Sequence, residues 1–267
     1  MSDWLVNGVP GGLVRPDDRG LLYGDGLFET IAFHAGRSAL WPLHVARLAR
    51  GCGALGLPMP DQALLADECL RLAAQRARAV VRLALTRGCG GRAYFPPEPP
   101  AVTRVLIRRD WPGDMARRRG EGMSMRTVRL PLVDAVGSGL KHANRLAQVQ
   151  IARRLADADE ALALDADGYV VEGLSGNIVV VRHGALIAPG PHPAAVAGVG
   201  LEWLRRRADG ALSERPMHAD ELRSEDAIWV INSIQGPCPV RCLDGRKLRR
   251  DAVLRDWQAK WRDEIEA

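Results

Sequence analysis

The chain has 267 residues, 47% of them apolar and 26% charged, with 37 Lys and Arg against 32 Asp and Glu. That is enough apolar material for one large core or two smaller ones, and no apolar run approaches the roughly 18 residues needed to cross a bilayer. The net charge of +5 is spread among acids, as in "RRLADADE" and "LRRDAVLRDW", and aromatics are only 5%, so no nucleic-acid surface is expected.

The opening segment "MSDWLVNGVP" lacks the basic head and apolar stretch of a secretory signal, so a cytoplasmic location is expected. "LFETIAF", "HAGR" and "SALW" then read as strand, turn and strand. "PLHVARLARGCGAL" has Leu43, Ala46, Leu48 and Leu55 near helical spacing, with Pro42 in the first turn. A second helix, "DQALLADECLRLAAQRA", takes Asp61 as N-cap, and "AVVRLALTRG" and "VTRVLIRR" follow as strands. These make an N-terminal domain over residues 1–108. The charged, non-periodic "RDWPGDMARRRGEG" reads as a linker at 109–122.

A C-terminal domain over 123–267 opens with the strand "MSMRTVRL", then a helix at 143–156. A meander of short strands follows: "EALALD", "YVVEG", "NIVVVR" and "ALIAP". A helix from about 198, the strand "DAIWVIN", a hairpin around "LDG" and a closing helix complete the chain.

The five cysteines (Cys52, Cys69, Cys89, Cys238, Cys242) are odd in number and widely spaced. "CPVRC" has no second ligand pair, so free thiols and no metal site are expected. "GCGALG" fits the dinucleotide-loop pattern, but a helix precedes it where a strand is required, so it reads as a helix end and turn. "GLSG" (Gly173–Gly176) lacks the spacing of a nucleophile elbow.

One of the few lysines lies in "GLKHANRLAQV". A lysine that forms a Schiff base needs its pKa lowered by burial or by neighbouring cations. Lys141 has His142 beside it, and Arg145 falls one turn along if a helix begins near Lys141. Pyridoxal chemistry further needs an acid to hold the ring nitrogen protonated, and Glu172 ends an apolar strand before a Gly-rich turn. A phosphate needs backbone N–H groups and a cation. Gly198-Val199-Gly200 at a helix start, Asn232 and Ser233 at a strand end, and Arg47 could supply them, although each has an ordinary surface reading by itself.

Taken in order, "DRGLLYGDGLFET", "HVARL", "LTRGCGGRAY", "LKHANRLAQV", "DEALALDADGYVVEGLSGNIVVV" and "AGVG" resemble the fold-type IV pyridoxal 5'-phosphate (PLP) enzymes, which include the class IV aminotransferases and aminodeoxychorismate lyase. The resemblance implies a two-domain α+β, or α/β, fold: a small N-terminal α/β domain and a larger, β-rich C-terminal PLP-binding domain. It also implies a homodimer. It makes Lys141 the Schiff-base lysine and catalytic base, and Glu172 the partner of the pyridine nitrogen, with Asn177 shaping the same wall. Arg47, Gly198, Val199, Gly200, Asn232 and Ser233 become the phosphate site.

Transaminases of this family usually carry "GNYLN" where this chain has Asn144-Arg145-Leu146. "KHANRL" and "RGCGGRAY" are most similar to aminodeoxychorismate lyase, whose substrate has two carboxylates, and Arg87, Arg92 and Tyr23 become candidate substrate contacts. The alternative is a transaminase of D- or branched-chain amino acids. One departure stands out: Gly200-Leu201 replaces the Thr/Met-Arg common at the helix start, so Gly200 is left to offer only its N–H.

Overall fold

The computed structural model describes residues 2–74, 76–129 and 139–267. The chain divides into two compact units: Met1–Trp111 with Leu140–Asn144, and Pro112–Gly139 with Arg145–Ala267.

The first unit contains β1 (Trp4–Val6), β2 (Val9–Pro10), α1 (Arg19–Tyr23), β3 (Gly26–His34), α2 (Trp41–Leu55), α3 (Gln62–Ala73), β4 (Arg78–Thr86) and β5 (Thr103–Arg109). Among the described residues its strands form one antiparallel sheet, ordered β2-β1-β5-β4-β3. Leu48, Leu65, Cys69 and Leu72 from α2 and α3 pack on Ile31, Val81, Leu83 and Leu106 of the sheet. Pro42 lies in the first turn of α2, and Gly56 ends that helix at φ 61°. "GCGALG" is therefore the last turn and cap of a helix. The Asp61 carboxylate accepts the Leu64 N–H at 2.9 Å and caps α3.

The expected strand at "SALW" does not form, because Trp41 already opens α2. A proline in a first helical turn favours that start. His34 and Arg37 close a tight turn, and β3 pairs along its whole length with β4, from Gly26 opposite Thr86 to His34 opposite Arg78.

The second unit contains α4 (Met115–Gly120), β6 (Met123–Arg129), α5 (Leu146–Ala152), β7 (Glu160–Leu164), β8 (Val170–Gly173), β9 (Asn177–Arg182), β10 (Ala185–Pro189), α6 (Val199–Ala208), β11 (Leu212–Arg215), β12 (Ala227–Asn232), β13 (Gly236–Leu243), β14 (Arg246–Lys247) and α7 (Val253–Trp261). Among the described residues its strands follow the order β11-β10-β9-β12-β13-β6-β7-β8, with β14 paired to β13. Met125, Leu162, Ile178, Val180, Ile228 and Val240 belong to its main core.

Three expectations change here. The segment expected as an irregular linker at 109–122 contains α4, held by Arg118 donating to Asp114 at 2.6 Å. The helix expected at 143–156 is only α5, so Lys141 precedes it and Arg145 is its N-cap. The strands are not a simple meander: β8 pairs with β7, whereas β9 pairs with β10 and β12. The last residue of the expected strand "MSMRTVRL", Leu130, lies outside the described residues. Among the described residues no helix is long and apolar enough to cross a membrane.

Candidate functional site

In the first unit Lys141 lies on a short extended segment against the outer edge of β3. The Phe28 N–H donates to the Lys141 carbonyl at 2.9 Å, and the Ala143 N–H donates to the Gly26 carbonyl at 2.8 Å. This segment groups with the first unit and not with residues 123–267, the domain to which the sequence reading assigned it. Pairing both sides of Lys141 to a strand fixes the direction of its side chain. The ammonium nitrogen sits 4.6 Å from the centroid of the Phe28 ring, within cation–π range.

One residue along β3, Glu29 lies in a buried ionic cluster with two residues of α2 spaced three apart. Arg47 donates through Nε to Oε1 at 2.8 Å and through Nη2 to Oε2 at 2.5 Å. His44 Nδ1 lies 2.6 Å from Oε2. Burial pushes the Glu29 carboxyl up, but Arg47 and His44 outweigh it and hold it at about 2. Burial pushes His44 below its ordinary value, helped by the Arg47 and Lys141 cations and opposed by Glu29. His44 is therefore neutral at pH 7 and donates its Nδ1 proton to Glu29. The sequence reading included Arg47 but missed Glu29 and His44. The signal was there: an acid inside an apolar strand, and a histidine three residues before an arginine on one helix face.

In the second unit Glu172, Asn177, the start of α6 and the end of β12 are built together. Glu172 Oε2 accepts the Val196 N–H, and Asn177 Nδ2 donates to the Val196 carbonyl, each at 2.9 Å. Both side chains thus hold the segment that enters α6. Gly198 is the N-cap, and no side chain caps this helix. The first intrahelical bond runs from the Glu202 N–H to the Gly198 carbonyl, so the N–H groups of Val199, Gly200 and Leu201 precede it and point out of the helix end. A Cβ on Gly198 would overlap Asn177 Oδ1, and one on Gly200 would sit 2.8–3.0 Å from the Asn232 backbone. The helix start is therefore pressed against the Asn232-Ser233 turn, where Asn232 Oδ1 accepts the N–H groups of Ile234 and Gln235 at 2.9 Å.

This arrangement meets the demands of a phosphate: a ten-residue helix directs N–H groups outward, and glycines let the backbone come close. The buried Glu172 carboxyl offers an acceptor of the kind a protonated pyridine nitrogen requires. The residues present fit PLP.

The candidate substrate residues have different surroundings. Arg87 donates through Nε to Asp25 at 2.8 Å and through Nη2 to the Leu55 carbonyl at 2.7 Å, so its guanidinium is engaged inside the first unit. Arg92 is exposed and rests beside Phe95, 5.6 Å from its ring centroid. Tyr23 lies 5.6 Å from the Tyr94 ring, with the Arg19 guanidinium 4.8 Å over its own ring. Arg19 also donates to the carbonyls of Ala93 at 2.9 Å and Tyr94 at 3.2 Å, and to Asp25 at 3.0 Å. It anchors the loop that carries Arg92.

All five cysteines are free. Among the described residues no three His, Cys, Asp or Glu side chains gather as a metal site would need.

A family model described as amino-transferase class IV matches residues 26–243. An aminodeoxychorismate lyase of Vibrio harveyi is 30% identical over 88% of this chain and 89% of its own length. The crystal structure of 4-amino-4-deoxychorismate lyase from Pseudomonas aeruginosa is 36% identical and superposes with a TM-score of 0.89, covering 99% of this chain and 100% of that one. The PLP-bound form of a hypothetical aminotransferase from Mycobacterium tuberculosis is 26% identical with a TM-score of 0.82, covering 95% of this chain and 93% of that one.

Proposed function

The chain belongs to the class IV aminotransferase family, and from that premise we propose that it is a PLP-dependent 4-amino-4-deoxychorismate lyase, converting its substrate to 4-aminobenzoate and pyruvate. One observation carries the choice of reaction: the similarity to two aminodeoxychorismate lyases along nearly the whole chain. The product would serve folate biosynthesis, and a cytoplasmic homodimer is the expected working form.

PLP supplies an electron sink that makes the proton on the amine-bearing carbon acidic. Lys141 Nζ removes that proton from the ring carbon of the substrate. Glu172 would hold a proton at the pyridine nitrogen of the bound cofactor, and Asn177 keeps the adjoining segment in place. The N–H groups at the start of α6 and the Asn232-Ser233 turn would hold the phosphate. The enolpyruvyl group takes up one proton and leaves as pyruvate, and the ring becomes aromatic. Atoms balance without a keto acid. Arg92 is the better candidate for a substrate carboxylate, because Arg87 is engaged by Asp25 and the Leu55 carbonyl. Tyr23 is the candidate aromatic neighbour.

Transamination is the second reading, favoured by the name of the family model. The same lysine would then shuttle a proton between two carbons. Incubating the PLP-loaded protein with aminodeoxychorismate, without keto acid, separates the two. Equal amounts of 4-aminobenzoate and pyruvate are expected. Neither product, from a yellow protein bleached by borohydride, would move the function to transamination.

A further inference from the structure

Glu160 is a buried acid for which the proposed chemistry has no task. It opens β7, is 1% exposed, and accepts hydrogen bonds from its own strand and from the turn after β8. Oε1 accepts the N–H of Ala161 at 3.0 Å and the N–H of Ser175 at 3.1 Å, while Oε2 is hydrogen-bonded to the Ser175 hydroxyl. Burial raises its pKa and outweighs those donors.

Ser175 is the centre of the tight turn joining β8 to β9. The turn closes by the Gly173 N–H donating to the Gly176 carbonyl at 2.7 Å. On its other side, Asn232 Nδ2 donates to the Ser175 carbonyl at 3.0 Å. Gly176 lies so near β12 that a Cβ there would fall 2.5 Å from the Ile231 carbonyl oxygen. Glu172 leads into this turn and Asn177 follows it, and both hold Val196 ahead of α6. A four-residue turn with two glycines has many alternative conformations, so something must select this one. The hydrogen bonds from Glu160 and Asn232 do so.

We propose that Glu160 is a positioning residue for the cofactor site of the second unit, fixing through Ser175 the spacing between Glu172, Asn177 and the Asn232-Ser233 turn. The proposal rests on the reading that this protein binds PLP. It follows from a general requirement: groups that hold a ligand keep their geometry only when the atoms behind them are also held.

The test is equilibrium dialysis of the holoenzyme against graded PLP, read by the cofactor's absorbance, with far-UV circular dichroism to confirm folding. Glu160→Gln keeps an acceptor for both N–H groups and still offers the Ser175 hydroxyl a hydrogen-bonding partner, so its Kd and band position should match wild type. Glu160→Ala should weaken PLP binding about tenfold, the lower end of the 10–100-fold losses known when outer partners of a metal site are removed. Its absorbance band should also shift, because Glu172 sets the protonation of the ring nitrogen, and loss of stability alone would not move it. A folded Glu160→Ala with wild-type Kd and band overturns the proposal, as does Glu160→Gln impaired as badly as Glu160→Ala. Should Glu160→Ala fail to fold, Ser175→Ala carries the test. It is expected to weaken binding about fivefold, the worth of one hydrogen bond, and an unchanged Kd there overturns the proposal. Wild-type protein that takes up no PLP would overturn the cofactor reading first and this proposal with it, so the two failures are distinct.

Discussion

Glu29 and Lys141 occupy the same stretch of the first unit, on β3 and on the segment bridged to it. Glu29 keeps its negative charge although buried, because Arg47 grips both its oxygens and His44 donates to one. Its folded-state pKa of about 2 lies below its ordinary value of 4.5, so the unfolded chain takes up the proton first. The stability it contributes is present above pH 4.5 and drains away as pH falls toward about 2. His44 is also depressed, so its contribution is present above 6.5 and begins to be lost below that pH. Urea unfolding at a series of pH values should show a decline that starts below 6.5 and steepens below 4.5. Glu29→Gln should cost about 3–5 kcal/mol at pH 7 by leaving Arg47 buried without its counter-charge, and should flatten the curve below pH 4.5. An unchanged slope would show that the cluster does not set acid stability. Lys141 has the simpler test. Lys141→Ala should abolish turnover and the borohydride-sensitive yellow colour together, and near-normal rates would remove it from the catalytic role.

At the scale of elements, a loop is only as well placed as its anchor. Arg19 sits in α1 but bonds the backbone of the loop after β4, at Ala93 and Tyr94, while Asp25 ties it to Arg87. Arg19→Lys cannot reproduce that fork of donors. It should therefore raise KM for the substrate and speed proteolysis near Tyr94, while leaving the Kd for PLP unchanged. Equal losses in both constants would assign Arg19 to the fold in general. Much at this scale was legible in the sequence. Pro42 and Gly56 bracket α2, Asp61 caps α3, and alternating or continuous apolar residues mark β4, β7 and β9. What was hidden depends on partners distant in sequence. "SALW" has strand propensity, but the proline after it starts a helix. The hairpin around "LDG" was readable and is the β13–β14 pair, but the first half of β13 carries Pro237 and Pro239 and does not read as a strand, yet Gly236–Val240 pair with β12. Lys141 looked like the mouth of a helix because "ANRLAQV" is helical in composition, whereas the edge of β3 draws its backbone into an extended bridge. Within the candidate site, the acid, the glycines and the asparagine were readable as a set. Glu29 and His44 left a signal in the apolar strand and in the spacing to Arg47, whereas Glu160 left none, since nothing in a linear sequence marks which carboxylate will be buried against which donor.

For the whole molecule the open question is how many chains work together. The first unit leaves Leu21 69% exposed, Leu22 54%, Tyr94 83% and Phe95 68%. The helix and the loop that carry them are tied together, because Arg19 of α1 holds the backbone at Tyr94 and Tyr23 lies against the Tyr94 ring. Scattered apolar residues need no explanation, but four large exposed ones on a short helix and the loop tied to it are what a protein interface presents. A second copy of the chain is the natural occupant if the protein works as the proposed homodimer. Sedimentation should then give twice the 29.1 kDa chain mass. Leu21→Glu combined with Leu22→Glu should shift it to the monomer, because two carboxylates cannot be buried there without partners. Both positions are exposed, so the substitutions should leave circular dichroism of the monomer unchanged, which separates a broken interface from a broken fold. A wild-type protein that sediments as a monomer at all concentrations would remove the dimer and leave this face to some other partner.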